Sequence, residues 1–365
     1  MNGERRILDL LHGAVADGVF PGAVLLVSRA GHRLLFQAAG NAALLPTPRP
    51  MTAHTIFDLA SLTKPLATTL AVLIVVSRGN LDLDAPLADL LARRSIPRDK
   101  AALTLRQLLS HSAGFPAWKP YYLELAKLPQ ANRKRRLHEL LLEEPLEHAP
   151  GEGSLYSDLG FLLIEWIMEE KTATDLHRFT REHLYEPLGC PTLSYRPLQQ
   201  TTLRDPRDFA ATEQCPWRGR VLSGEVHDEN AYVMGGVAGQ AGLFGAAADV
   251  GRLLDAILRT RGGIGAGLPW APERLEEFLR RAYPEPTRTW ALGFDTPAAV
   301  GSSAGSHFSP ETVGHLGFTG TSFWLDLRRK LAVVLLTNRI HPTRANEKIK
   351  AFRPVLHDAV MEEFG

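Results

Sequence analysis

Ser61 and Lys64 stand one helical turn apart in Phe57-Asp58-Leu59-Ala60-Ser61-Leu62-Thr63-Lys64-Pro65, which runs into the apolar stretch Leu66 to Val76. Proline is tolerated only in the first turn of a helix, so Pro65 pins a helix start close to Ser61. The hydroxyl and the amine then share one face, with Cβ atoms roughly 5–6 Å apart. Ser61 fits an N-cap by type and place, yet a capping box calls for Glu or Gln where Lys64 sits. A cation in the first turn opposes the helix dipole at a cost of about 0.3–1 kcal/mol. Such a local misfit points to function. The positive helix end and apolar neighbours are expected to depress the lysine pKa, so that a neutral amine takes the Ser61 proton. Backbone N–H groups at the same helix end suit a developing oxyanion.

Two further segments carry reactive types. In Pro150-Gly151-Glu152-Gly153-Ser154-Leu155-Tyr156-Ser157-Asp158-Leu159-Gly160, a glycine-rich turn precedes the apolar stripe of Leu159, Leu162, Leu163, Trp166 and Ile167. Tyr156 therefore lies just before a helix start, where a phenolate is stabilised and can shuttle a proton. Asp158 reads on its own as a helix cap. In Val313-Gly314-His315-Leu316-Gly317-Phe318-Thr319-Gly320-Thr321-Ser322, the glycines permit close backbone approach to a ligand. A strand edge there offers an N–H to a substrate carbonyl.

The elements that position these segments follow from periodicity. Residues 3–18 read as a first helix. The runs 23–28 and 33–38 form a hairpin, as do 322–327 and 331–336, and 344–363 reads as a closing helix. Helical period recurs at 62–78, 103–110, 121–128, 132–144, 158–170, 174–185, 248–260 and 271–282. Strands at both ends with helices between predict an α/β (α+β) fold with one antiparallel sheet built from the two termini.

Composition narrows the function. The chain has 365 residues, 45% hydrophobic and 22% charged, with 41 Lys plus Arg against 40 Asp plus Glu. That is the composition of a globular enzyme and excludes disordered and collagen-like classes. A formal charge of +1 offers nucleic acid and anionic membranes no global attraction. The basic run Arg133-Lys134-Arg135-Arg136 reads as a solvated helix face. Two cysteines, Cys190 and Cys215, make neither a disulfide scaffold nor a metal motif. No secretory signal is visible, and Leu66 to Val76 is too short to cross a bilayer. The expectation is a soluble, cytoplasmic protein.

Taken in order, the three segments resemble the S-x-x-K, Y-x-N and K-T-G or H-x-G motifs of the penicillin-recognising serine hydrolases. The phrases Leu108-Leu109-Ser110-His111-Ser112-Ala113-Gly114-Phe115 and Gly235-Gly236-Val237-Ala238-Gly239-Gln240-Ala241-Gly242-Leu243-Phe244 are similar to that superfamily as well. The likeness runs from about residue 20 to the C-terminus. It is nearest the class C β-lactamase-like branch, which includes family VIII carboxylesterases, D-aminopeptidases and low-molecular-weight penicillin-binding proteins. The resemblance implies a β-lactamase-like sheet flanked by helices. Residues 1–60 and 231–365 would form a discontinuous sheet domain and 61–230 a mainly helical one, with the active site between them. It makes Ser61 the acylated nucleophile, Lys64 its activating neighbour and Tyr156 the general base and acid. His315 and Gly317 line the substrate edge, and the N–H groups of Ser61 and Phe318 form the oxyanion hole.

Three departures bear on substrate. Asp158 replaces the motif asparagine, exchanging a two-way amide for an acceptor-only carboxylate. His315 replaces a lysine, removing a fixed positive charge. Leu316 replaces a threonine hydroxyl. The last two argue against recognition of a β-lactam carboxylate and for a neutral site acting on short-chain or aromatic carboxylic esters. β-Lactamase action, peptidase action on D-amino-acid peptides and a non-catalytic binding module of the same fold are the alternatives. The expected partner is a small-molecule ester or amide, without cofactor, metal, nucleic acid or membrane. Gly301-Ser302-Ser303-Ala304-Gly305 matches a nucleophile elbow but lacks the flanking strand and helix. His227-Asp228-Glu229 groups three candidate metal ligands without a metal-site spacing.

Overall fold

The computed structural model describes residues 2–199, 205–265 and 267–365. Both ends of the chain contribute to one six-stranded sheet. Its strands are β1 (Gly22–Arg29), β2 (His32–Ala43), β3 (Arg49–Pro50), β4 (Thr312–Leu316), β5 (Ser322–Asp326) and β6 (Leu331–Thr337). Their spatial order is β3-β2-β1-β6-β5-β4, antiparallel throughout. The seam joins the termini: β1 and β6 pair from Ala23 opposite Thr337 to Arg29 opposite Leu331.

Strands β1 and β6 are almost continuously apolar because both sheet faces are covered, and alternate residues enter different cores. Leu25, Val27, Val333 and Leu335 pack beneath the helices Asn2–Ala16 and Ile349–Phe364. Val24, Leu26, Val334 and Leu336 face the larger core, where the helix Ala247–Arg261 lies against β1 and β6. At about 1.5–3 kcal/mol for each fully buried large aliphatic side chain, this two-sided burial holds strands from opposite chain ends together.

The helix expected over 62–78 is composite. A 3-10 turn (Ala60–Leu62) leads into a wide π turn (Lys64–Thr69) and then a regular α-helix (Leu70–Ser77). These turns lengthen the apolar run: Ala60–Ser77, with mean hydropathy 1.6, is long and apolar enough to cross a bilayer, but 89% of it is buried inside the protein. It is a core helix. The segment 174–185 likewise divides, into Leu176–Thr180 and a π turn Arg181–Tyr185. The basic run on the helix Gln130–Glu143 is paired with acids: Arg136 meets Glu124 and Glu143, and Lys134 meets Glu165 and Glu169. Short strands that periodicity did not signal, Phe57–Asp58 and Leu243–Gly245, pair beside the Ser61 turn.

Candidate active site

Asp58 sets the turn that carries Ser61. Its carboxylate, 2% exposed, accepts the N–H groups of Ala60 at 2.9 Å and His227 at 2.7 Å. Ala60 is held at φ +48°, a left-handed conformation unfavourable to a side chain. Ser61 is not an N-cap; the chain enters the 3-10 turn in a helical conformation and no side chain caps it. Among the described residues, the N–H groups of Ser61 and Phe318 have no hydrogen-bond partner.

Lys64 is fully buried, and its Nζ donates to Ser61 Oγ at 3.2 Å and to the Gln240 carbonyl at 3.1 Å. It also lies 2.6 Å from Asp158 Oδ1. The expected depression of its pKa is not found. Burial is the largest single influence and lowers it, but Asp158 and Tyr156 together outweigh burial and raise it above the usual lysine value. The sequence argument counted the helix end and the apolar surroundings but not a carboxylate brought in by another helix.

Lys64 Nζ lies 4.8 Å from the centre of the Tyr156 ring, and the phenol neighbours Ser61. Burial pushes its pKa up to about 12, offset in part by Lys64. It is therefore a neutral phenol at neutral pH, not the stabilised phenolate expected from its place before a helix. Its ring lies among His111, Trp290 and His315, with centroids at 4.8, 5.5 and 5.9 Å. The His111 loop holds the tyrosine segment directly: the His111 carbonyl accepts the Leu155 N–H at 2.9 Å, and Nδ1 accepts the Ser157 N–H at 3.0 Å. Ser157, rather than Asp158, caps the helix Asp158–Thr172. Asp158 occupies its first turn, where a negative charge suits the dipole.

The edge of β4 closes the site. A Cβ on Gly317 would come within 2.7 Å of the Leu59 carbonyl and 2.0 Å of Thr321 Oγ1, so only glycine lets this edge approach the Ser61 turn. Thr319 and Thr321 hydroxyls clamp the two segments, donating to the carbonyls of Asp58 at 2.8 Å and Leu59 at 3.0 Å. Burial, with a contribution from Lys64, lowers the His315 pKa to about 3. The ring is neutral and supplies no cation in place of the motif lysine. Phe318 is half-exposed, stacked on His227 at 5.6 Å, and its carbonyl accepts from Arg339 Nε at 2.9 Å.

Ser61, Tyr156, Asp158, His315, Gly317 and Phe318 line one cavity of about 660 Å³, and the buried Lys64 reaches it through Ser61. The expectation of a neutral site is corrected here. Arg339, Arg344 and Arg353 also line the cavity, as do Asp158, Asp228, Glu229 and Asp295. Arg344 is paired with Glu213 and Glu229. Arg353, 6% exposed, has no carboxylate partner among the described residues and donates to the Thr321 carbonyl at 2.9 Å. Trp290 and these arginines escaped sequence reasoning because they carry no motif and arrive from distant elements; His111 sat in a phrase already singled out. Of His227, Asp228 and Glu229, the first and last meet in the cluster of Glu213 and Arg344, while Asp228 accepts the Ala231 N–H. Ser303 lies in an irregular loop, its carbonyl bonded to His357 Nδ1, with no elbow.

A Ser–Lys–Tyr group with its lysine buried, set beside an antiparallel sheet edge and the start of a helix, defines a β-lactamase-fold serine hydrolase. The comparisons agree: residues 7–354 match the beta-lactamase family, and the chain belongs to it. It is 34% identical, over 91% of its length and 82% of the relative's, to a putative D-alanyl-D-alanine carboxypeptidase of Salmonella agona (strain SL483). The solved structure of SurE shares the fold with a TM-score of 0.74 at 24% identity, covering 98% of this chain and 76% of that one. EstCE1, a hydrolase with promiscuous acyltransferase activity, shares it with a TM-score of 0.70 at 20% identity, covering 96% of this chain and 98% of that one.

Proposed function

We propose that the protein hydrolyses uncharged carboxylic esters with short-chain or aromatic groups, through an acyl-enzyme on Ser61. The observation that carries this reading is the contact of Lys64 Nζ with both Ser61 Oγ and Asp158 Oδ1, at 3.2 and 2.6 Å. In its neutral form the Nζ amine accepts the Ser61 proton as Oγ attacks the carbonyl carbon, and Asp158, by raising the lysine pKa, sets the pH at which that form is available. The carbonyl oxygen becomes an oxyanion at the free N–H groups of Ser61 and Phe318. Tyr156, beside both Ser61 and Lys64, passes the proton on to the leaving alkoxide. Water then repeats the sequence on the acyl-enzyme and releases the acid. The neutral His315 supports an uncharged substrate. The test is aryl acetate and butyrate turnover by wild type and Ser61→Ala, with mass spectrometry after a fluorophosphonate probe. Loss of about 10³-fold or more, and an adduct on Ser61 only, is expected; an alanine variant that keeps most of its activity refutes the assignment.

A second reading is peptidase action on D-amino-acid peptides. Arg353, buried in the cavity wall without a carboxylate partner, is suited to a terminal carboxylate, and the relative's name points the same way. Release of D-alanine from an acyl-D-alanyl-D-alanine peptide, faster than aryl ester hydrolysis and lost in Arg353→Met, would reverse the order of the two readings.

A further inference from the structure

The chemistry around Ser61 leaves a row of aromatic rings at the cavity mouth unused. Trp118 lines the cavity yet is 43% exposed. Its ring lies 6.4 Å from that of Tyr122, which meets Trp217 edge-on at 5.0 Å. Trp217, 41% exposed, meets Tyr232 edge-on at 5.8 Å. Large aromatic side chains left this accessible are candidates for binding rather than for core packing.

The row is held in place. Asn230 Oδ1 accepts the Tyr122 N–H at 2.8 Å, and its Nδ2 donates to the Lys119 carbonyl at 2.9 Å, which ties the Trp118–Tyr122 segment to the helix Glu229–Val233. Arg218 lies over Tyr232 at 3.9 Å and over Trp217 at 5.5 Å, and donates to the carbonyls of Val226 at 2.6 Å and His227 at 3.0 Å. The segment Trp118–Tyr122 and the region holding Trp217 and Tyr232, about a hundred residues on, thus present their rings from a braced frame. That frame is continuous with the wall formed by His227, Asp228 and Glu229. Rings fixed before a ligand arrives lose little entropy on binding it.

We propose that Trp118, Tyr122 and Trp217 extend the substrate site outward and hold an apolar, ring-bearing arm of the substrate that reaches beyond the cavity. The occupant is part of the substrate because the row is continuous with the cavity through Trp118. This inference rests on Ser61 being the acylated residue. The arm belongs to the acyl group or to the alcohol, and paired substrates separate the two: 4-nitrophenyl biphenyl-carboxylate carries it on the acyl side, and biphenylyl acetate on the alcohol side.

For wild type, Trp217→Ala and Trp217→Phe, the kcat/KM of each biphenyl ester is divided by that of 4-nitrophenyl acetate. The ratio for one of the two esters should fall about tenfold in Trp217→Ala, mainly through KM, and recover most of the loss in Trp217→Phe. Calorimetric binding of the same ester to Ser61→Ala, with and without Trp217→Ala, tests the row without turnover. It should show a similar weakening, so a silent enzyme refutes the Ser61 reading and not this one. Ratios and affinity unchanged by Trp217→Ala, or a change of oligomeric state by light scattering as its only effect, would overturn the proposal.

Discussion

Two cation–carboxylate groups border the cavity, one around a buried lysine and one around a partly exposed arginine, and they differ in what their cation can do. Around Lys64, one ammonium meets one carboxylate, a serine hydroxyl and a tyrosine. Around Arg344, the guanidinium grips Glu213 through Nε at 2.8 Å and reaches Glu229 at 2.7 Å, while His227 adds a bond to Glu213 at 3.0 Å. Despite burial, His227 and Arg344 together hold Glu213 down at about 2. A lysine can give up its proton inside a protein; an arginine keeps its charge. The first group is therefore suited to proton transfer, whereas the second fixes the wall on which Phe318 stacks.

The largest expected effect comes from removing that distinction. Lys64→Arg keeps the charge beside Asp158 but cannot supply an amine, so kcat for aryl acetate should fall about 10³-fold with the fold intact by circular dichroism. Near-normal turnover would mean that lysine serves only as a fixed charge. Next, Arg344→Ala leaves two carboxylates facing each other and should cost about 2 kcal/mol of stability, discounted because Arg344 is partly exposed, with kcat changed only a few-fold. Thermal unfolding beside an ester assay checks it; a kcat loss as large as that of Lys64→Arg would erase the contrast.

Asp158→Asn sharpens the comparison through pH. Asp158 raises the Lys64 pKa against the lowering by burial, so its removal drops that pKa and makes the amine available in more acidic solution. The acid limb of the kcat profile should move to lower pH, with activity retained; a limb moved upward contradicts the Lys64–Asp158 coupling. The smallest effect concerns Asp228, whose carboxyl burial and the nearby Asp158 push up to about 6. Its folded pKa lies above its unfolded value, so ionisation destabilises the fold as pH rises through that range. Asp228→Asn should therefore stabilise by roughly 1 kcal/mol at pH 8 and by almost nothing at pH 4. Denaturation midpoints at the two pH values measure the difference.

The legible part of the site was the part written in local spacing. Ser61, Lys64 and Pro65 lie within one turn, Tyr156 and Asp158 flank a helix start, and Gly317 announces a close approach. The hairpins at both ends were readable from alternation and turn residues. The pairing of β1 with β6 is a contact across more than 300 residues, and only the apolar content of both strands hinted at it. The lysine pKa was misjudged for the same reason: its direction depends on Asp158, which lies on a different helix.

The sequence by itself determined which residues could react, because covalent chemistry needs particular side chains at short, rigid separations. It also determined that His315 stands where a lysine would bring a fixed charge. Tertiary structure decided the protonation of that chemistry and the character of the cavity. Burial and long-range partners made Tyr156 a phenol, kept Lys64 charged against Asp158 and left His315 neutral. The same packing brought Arg339 and Arg353 into a site that the motif alone describes as uncharged. Electrostatic energy depends on distance and dielectric, and neither is written in a linear order of residues.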